Sequence, residues 1–226
     1  ISRLRENAIE HEVGIVGLVL YSDSTSCTNF GDVSMWPAYL SFANWSKNVR
    51  LKPKSYAMNH IIYIPSLPDT IQKHYMTHFD HLASDKELRF CKVELLQTIW
   101  HLVISQPQFY DAYVHGYVEK CADGIIRHLF YRFFSYAADY VEKVMLVCLK
   151  YLAAHPCPLC LSKKEDVYLL GTRRDMSNRV SLAREDTETL RTAIEDARSL
   201  IFEGGYAVGS DKVNDCLEEY SALPIQ

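Results

Sequence analysis

The sequence predicts an α/β protein in which helices flank a sheet, and three stretches carry that prediction. Val13-Gly-Ile-Val-Gly-Leu-Val-Leu-Tyr21 is a nearly unbroken aliphatic run of strand length, the pattern of a strand covered on both faces. From Thr70 to Ser105 the apolar period lengthens. Leu88, Cys91, Leu95, Ile99 and Leu102 recur at three- and four-residue steps, the stripe of a helix laid on a sheet. Ile125 to Ala137 returns to strand character, dense in Phe130, Tyr131, Phe133, Phe134 and Tyr136.

Bulk properties narrow the class. The 226 residues suffice for one large domain or one and a half small ones. With 48% hydrophobic and 23% charged residues, the chain is expected to fold as a globule. A duplex-gripping domain is normally basic, so a net charge of −4 argues against strong nucleic-acid affinity for the piece as a whole. Seven cysteines, an odd number without framework spacing, point to a reducing compartment. Apolar runs such as Ile61 to Ile64 and Val144 to Leu149 are too short to cross a bilayer, and no cleavable signal pattern opens the chain. Starting at Ile1 and ending at Gln226 without a clear terminal element, it is expected to be a fragment of something longer.

In chain order, residues 1–12 read as an amphipathic helical lead-in. The aliphatic strand follows, with Gly14 and Gly17 leaving room for close approach. Ser22-Asp23-Ser24-Thr25 stops it and places an acid at the mouth of the sheet, where α/β folds hold their ligands; a turn cap is the plain alternative. Asn29-Phe-Gly-Asp32 is a turn signal through Gly31. Met35 to Ala43 is a second strand, with Pro37 at an edge or near the strand's start. Asn44 to Lys54 is a loop carrying Lys47, Arg50, Lys52 and Lys54, readable as a solvated loop or as a phosphate contact. Met58 to Ile64 is a third strand, closed by Pro65 and Pro68.

Pro107 is expected to end the long helical stretch. Phe109 to Glu119 then reads as a strand, joined to Ile125–Ala137 by a turn at Ala122-Asp-Gly124. Val141 to Tyr151 fits strand or helix. Lys163 to Arg184 is charged and irregular. Asp186 to Phe202 carries Leu190, Ile194, Ala197 and Ile201 on one helical face, with Gly204-Gly205 as its stop. Ser210 is placed to cap a last short helix bearing Val213, Leu217 and Tyr220.

Two of these hydrophobic runs end on an aspartate, Asp23 and Asp139. Strands with similar ends in one sheet would bring both carboxylates to the same edge, where a hard cation such as Mg²⁺ would relieve their repulsion. Paired ions of that kind serve phosphodiester cleavage; two unrelated turn aspartates are the alternative. Cys157-Pro-Leu-Cys160 offers two corners of a tetrahedral Zn²⁺ site, a redox dithiol, or incidental buried cysteines. A redox motif should lead directly into a long helix, and polar Ser162-Lys-Lys-Glu-Asp166 follows instead. His155, Cys148 and Cys216 are the local candidates for further zinc ligands. His74, His78 and His81 fall at helical spacing, where a polar helix surface explains them more simply than a metal face. No Ser-His-Asp arrangement, phosphate-cradling glycine loop or dinucleotide fingerprint is present.

Taken together, the motifs resemble a known family. Ser22-Asp-Ser-Thr25, Trp36-Pro-Ala-Tyr-Leu40, Asn44, Ser46-Lys47, Arg50, Lys52-Pro53 and Tyr63-Ile-Pro-Ser-Leu-Pro-Asp69 resemble the opening of the transposases of fungal Plavaka elements, in the Kyakuja–Dileera–Zisupton superfamily. The likeness resumes at Asp123-Gly124 with Arg127, at Ala138-Asp-Tyr-Val-Glu-Lys143 and at Pro156-Cys-Pro-Leu-Cys-Leu161. It continues through Gly171, Arg174-Asp-Met-Ser-Asn-Arg179, Arg184-Glu-Asp186 and Ala197-Arg198. Val141 stands where the family usually has proline, and Ser24 where lysine is common.

This resemblance implies an RNase H-like mixed sheet flanked by helices, with two aspartates and a glutamate working through Mg²⁺ or Mn²⁺. Asp23 would be the first acid and Asp139 the second. Cys157 and Cys160 would begin a Zn²⁺ knuckle in a helical insertion between the second and third acids. Residues 1–150 are then an incomplete catalytic core and 151–226 the start of the insertion. The glutamate has no matching segment, so this polypeptide alone is expected to be inactive. The implied partners are DNA, as transposon ends and target, with a nuclear location and no membrane; oligomerisation is left open. A non-enzymatic, zinc-stabilised DNA- or protein-binding module derived from a transposon is the competing expectation, and a thiol oxidoreductase around Cys157 and Cys160 a third.

Overall fold

The computed structural model describes residues 11–27 and 34–225. The Gly31 turn and all but the end of the lead-in helix lie outside the described residues. Strands form at β1 (Glu12–Ser22), β2 (Thr25–Ser26), β3 (Ser34–Met35), β4 (Pro37–Phe42), β5 (Asn59–Tyr63), β6 (Tyr117–Lys120) and β7 (Ile126–Ala137). Five of them make one mixed sheet in the order β5-β4-β1-β7-β6, and β2 and β3 pair as a separate ribbon. The chain divides into two compact units, Ile1–Ile64 with Ile99–Ala138, and Pro65–Thr98 with Asp139–Gln226.

The first unit is built on β1. It pairs antiparallel with β4 and parallel with β7. Gly14 and Gly17 permit the close approach their sequence suggests: a Cβ at Gly14 would meet Leu129 Cδ2 at 2.8 Å, and one at Gly17 would meet Ala43 Cβ at 2.8 Å. Beyond Phe42 the Asn44 side chain carries on the ladder, accepting from the Gly17 amide at 2.9 Å and donating to the Ile15 carbonyl at 2.8 Å. Burial on β1 corrects the two-faced expectation. Leu18, Leu20 and Ser22 are buried, whereas Ile15 is 40% and Tyr21 37% exposed. Antiparallel neighbours leave one face of such a strand partly open.

Pro37 opens β4, and β4 lies inside the sheet, where a first-residue proline costs no ladder bond. Residues 107–114 are helix, not strand. Pro107 starts the helix Pro107–Val114 rather than ending its predecessor, since its missing N–H is no loss in a first turn. That helix lays Phe109 and Tyr113 on Phe133, with ring centroids 5.8 and 5.6 Å apart. The strand expected there shrinks to β6, joined to β7 through Gly124 at φ 82°.

In the second unit the 70–105 stretch splits into the helices Ile71–Phe79 and Asp85–Ile104. The buried stripe of Asp85–Ile104 is Phe90, Val93, Leu96 and, beyond the unit division, Trp100, rotated from the expected one; Leu102 is exposed. Phe90 and Val93 pack with Leu223 and Ile225. Tyr140–Leu146 resolves the ambiguous 141–151 stretch as a helix. The segment expected to be irregular holds the helix Arg173–Ser181, capped by Thr172. Glu188–Phe202 is capped by Thr187 and packs through Ala197 against Val213 and Leu217 of Asp211–Leu217. Ser210 occupies that last helix's cap position, yet its hydroxyl makes no capping bond.

Gly17→Val is expected to lower stability by about 1–3 kcal/mol through overpacking, seen as a lower urea midpoint at an unchanged slope. An unchanged midpoint would mean that the β1–β4 contact is looser than described.

Candidate active site

β1 and β7 end side by side. Their parallel register places Tyr21 opposite Ala137; Asp23 follows two residues after the first and Asp139 two residues after the second. The last turn of β1 is fixed by polar contacts. Ser22 is fully buried, and its hydroxyl shares a hydrogen bond of 2.6 Å with the Tyr136 hydroxyl. Tyr136 stacks edge-on against Trp100 at 5.5 Å. Tyr21 points to the other face and donates its hydroxyl to Asp23 Oδ2 at 3.3 Å, while Asp23 itself is exposed.

Asp139 performs the cap role that its sequence position also allows. It precedes the helix Tyr140–Leu146, and its Oδ1 accepts from the Glu142 amide at 2.7 Å. The carboxylate is exposed, so Oδ2 and the remaining lone pairs of Oδ1 face water. Glu142 is buried in the first turn of that helix, a feature the sequence did not signal.

The basic loop after β4 takes shape as the short helix Lys47–Arg50 and a 3₁₀ turn, Pro53–Ser55. Lys47, Arg50 and Lys52 line a cleft of about 570 Å³ together with Tyr21, Ser41 and Tyr56. Lys54 does not line it. Ser41 and Tyr56 escape sequence reasoning because a strand serine and a loop tyrosine carry no motif.

Cys157 and Cys160 sit in a tight turn of the second unit. The Leu159 amide donates to Cys157 Sγ at 3.4 Å, and Cys160, 1% exposed, bonds Ser162 Oγ at 3.2 Å. Burial pushes the Cys160 thiol up, but hydrogen bonds with Ser162 and Cys157 and the Arg179 charge bring it below the ordinary value. Among the described residues no set of three or more His, Cys, Asp or Glu side chains is placed to hold a metal. The expected further ligands are engaged elsewhere: His155 Nδ1 with the Leu161 carbonyl, and Cys216 Sγ with the Lys212 carbonyl. Cys148 packs against the core of Phe90 and Val93. His74 and His78 stack at 4.1 Å on an exposed helix face, and His81 Nδ1 bonds the Leu82 carbonyl.

Several residues that carry the resemblance have structural duties. The Arg184 guanidinium donates to the carbonyls of Cys157, His155 and Tyr220 at 2.9, 2.8 and 2.7 Å, pinning the cysteine turn. Asp175 accepts from Gly171 N and Arg179 Nε, each at 2.9 Å. These bonds hold its carboxyl below the usual range. Arg198 joins Glu94 to the Pro224 carbonyl.

The sheet and its strand-end acids define a mixed α/β protein, and among the described residues no helix is long and apolar enough to cross a membrane. The family model of the Plavaka transposases matches residues 2–203. The chain belongs to the Plavaka transposase family and is derived from a transposable element. No curated protein matches it in sequence.

Burial pushes the Cys148 thiol from its ordinary 9.0 up to about 12, with the Glu94 charge adding to the rise. Between those values the unfolded chain gives up a proton that the folded chain keeps. This contribution is therefore intact below about pH 9 and lost as pH climbs towards 12, at up to about 1.4 kcal/mol per pH unit. Cys148→Ala should flatten the alkaline loss of stability measured by urea unfolding; an unaltered slope would contradict the burial.

Proposed function

We propose that this chain carries part of an RNase H-like, DDE-type catalytic core of a transposase that cleaves and joins DNA strands in the nucleus. The observation that supports it best is the parallel pairing of β1 with β7. It ends both strands at one edge of the sheet, with an aspartate two residues beyond each end. Asp23 is the first metal-binding acid and Asp139 the second. Their chemistry suits Mg²⁺ or Mn²⁺: both are exposed carboxylates, Asp23 accepting one hydroxyl and Asp139 one amide, each with lone pairs to spare. Bound divalent ions would lower the pKa of an attacking water or 3′-hydroxyl and steady the leaving oxygen. Tyr21 orients the Asp23 carboxylate through its hydroxyl, and Ser22 with Tyr136 fixes the strand end from which Asp23 projects.

The full-length transposase should nick supercoiled plasmid in Mg²⁺ or Mn²⁺ and not in EDTA. Asp23→Asn and Asp139→Asn should each lose this activity. Nicking equal to that of the unaltered protein in either variant would overturn the assignment of that acid.

Cys157 and Cys160 we assign as two ligands of a zinc ion, on the strength of the tight turn, the amide on Cys157 Sγ and the lowered Cys160 thiol. Arg184 holds this turn through backbone carbonyls and leaves both sulfurs free of its guanidinium. Elemental analysis of purified full-length protein should find zinc that the Cys157→Ser/Cys160→Ser variant lacks. Equal zinc in both would remove these cysteines from the site.

A further inference from the structure

The geometry points to a second function for the basic loop: the cleft beside Tyr21 binds a backbone phosphate of the DNA strand and leads that strand to Asp23. Its walls combine Lys47, Arg50 and Lys52 with Ser41, Tyr21 and Tyr56, and no acidic side chain lines it among the described residues. Nor does any described carboxylate form a salt bridge with these three cations. The cleft is thus strongly positive in a chain whose net charge is −4.

Two of its polar atoms point to the ligand's chemistry. Ser41 Oγ and Arg50 Nε are both buried and both lack a hydrogen-bond partner. Buried donors without partners are rare and costly. Arg50 Nε–H can only donate, and the Ser41 hydroxyl can donate beside it. A group that satisfies both must present oxygen acceptors, and three cations around it call for negative charge. Phosphate meets both demands.

The remaining walls favour phosphate within a strand over free phosphate. Tyr56 stands at the cleft with 83% of its surface exposed, on a left-handed backbone at φ 53°. An exposed ring beside a phosphate site is a stacking platform for a base. Tyr21 lines the same cleft and donates to Asp23 Oδ2, so a strand held here runs next to the candidate acid. This inference rests on the DNA-cleaving reading for its partner, but not on the acids for its test.

The test is binding of a fluorescein-labelled single-stranded oligonucleotide to full-length protein in EDTA, followed by anisotropy across a salt series. Lys47→Ala/Arg50→Ala/Lys52→Ala should weaken binding at least tenfold and reduce the salt slope by about two, at about 0.7 per lost phosphate contact. Lys47→Ala/Lys52→Ala, which alters only exposed side chains, should lose an intermediate share and guards against misfolding of the triple variant. Tyr56→Ala should weaken binding without changing the slope. Unchanged affinity and slope in both lysine-containing variants would overturn the cleft. Protection of the fold by inorganic phosphate without oligonucleotide binding would overturn the strand assignment. Because EDTA removes any role of the metal, failure here is distinct from failure of the nicking comparison.

Discussion

The structure of the first unit depends on one ladder, the parallel pairing of β1 with β7. Parallel strands need a crossover, and the chain between them supplies β4, β5 and the helix Asp85–Ile104 before β7 returns. An antiparallel return would have put the ends of β1 and β7 at opposite edges of the sheet. The register shift between Leu18 and Val19 refines the arrangement: Leu18 faces Phe133 but Val19 faces Ser135, so Phe134 is passed over. A one-residue shift moves every later side chain to the opposite face. It brings Tyr136 to the face of Leu20 and Ser22, where Trp100 covers it and Ser22 can share its hydrogen bond.

The second unit solves a different problem, holding irregular backbone in place. Its helices bury small clusters, and the 148–162 and 218–225 segments have few ladder bonds of their own. Their carbonyls instead converge on arginines, Arg184 for the cysteine turn and Arg198 for Pro224. Guanidinium suits this work because its planar fork offers several fixed donors that cannot be titrated away. A bridge between Leu149 and Ala222, and the Leu223 amide on the Cys148 carbonyl, complete the stitching.

How far the sequence revealed this depended on where the deciding force was local. β1, β4, β5 and β7 show in the apolar pattern because each meets a sheet neighbour over several residues. Pro107–Val114 was misread as strand because Phe109, Tyr110 and Tyr113 have strand propensity. The contact that settles it, Phe109 and Tyr113 on Phe133, is tertiary. Arg173–Ser181 has almost no apolar face; its Thr172 cap and Asp175–Arg179 pair carry it, and neither gives a periodic signal. The aspartates were legible as strand-end acids. The cleft was not, since Ser41 and Arg50 meet only when the loop folds back over the sheet.

That fold-back also resolves a tension in the charge. A net charge of −4 describes the chain's far field, but at physiological salt charges are screened beyond about 8 Å. A bound phosphate would therefore respond mainly to side chains lining its own cleft. Within that range Lys47, Arg50 and Lys52 outweigh distant carboxylates, and Ser41 and Arg50 add buried donors whose desolvation strengthens a contact. An acidic protein can in this way hold a polyanion at one place and repel it elsewhere. That combination fixes a strand's path more sharply than a uniformly basic surface would. Tyr21, touching both the cleft and Asp23, makes the path end at the acid.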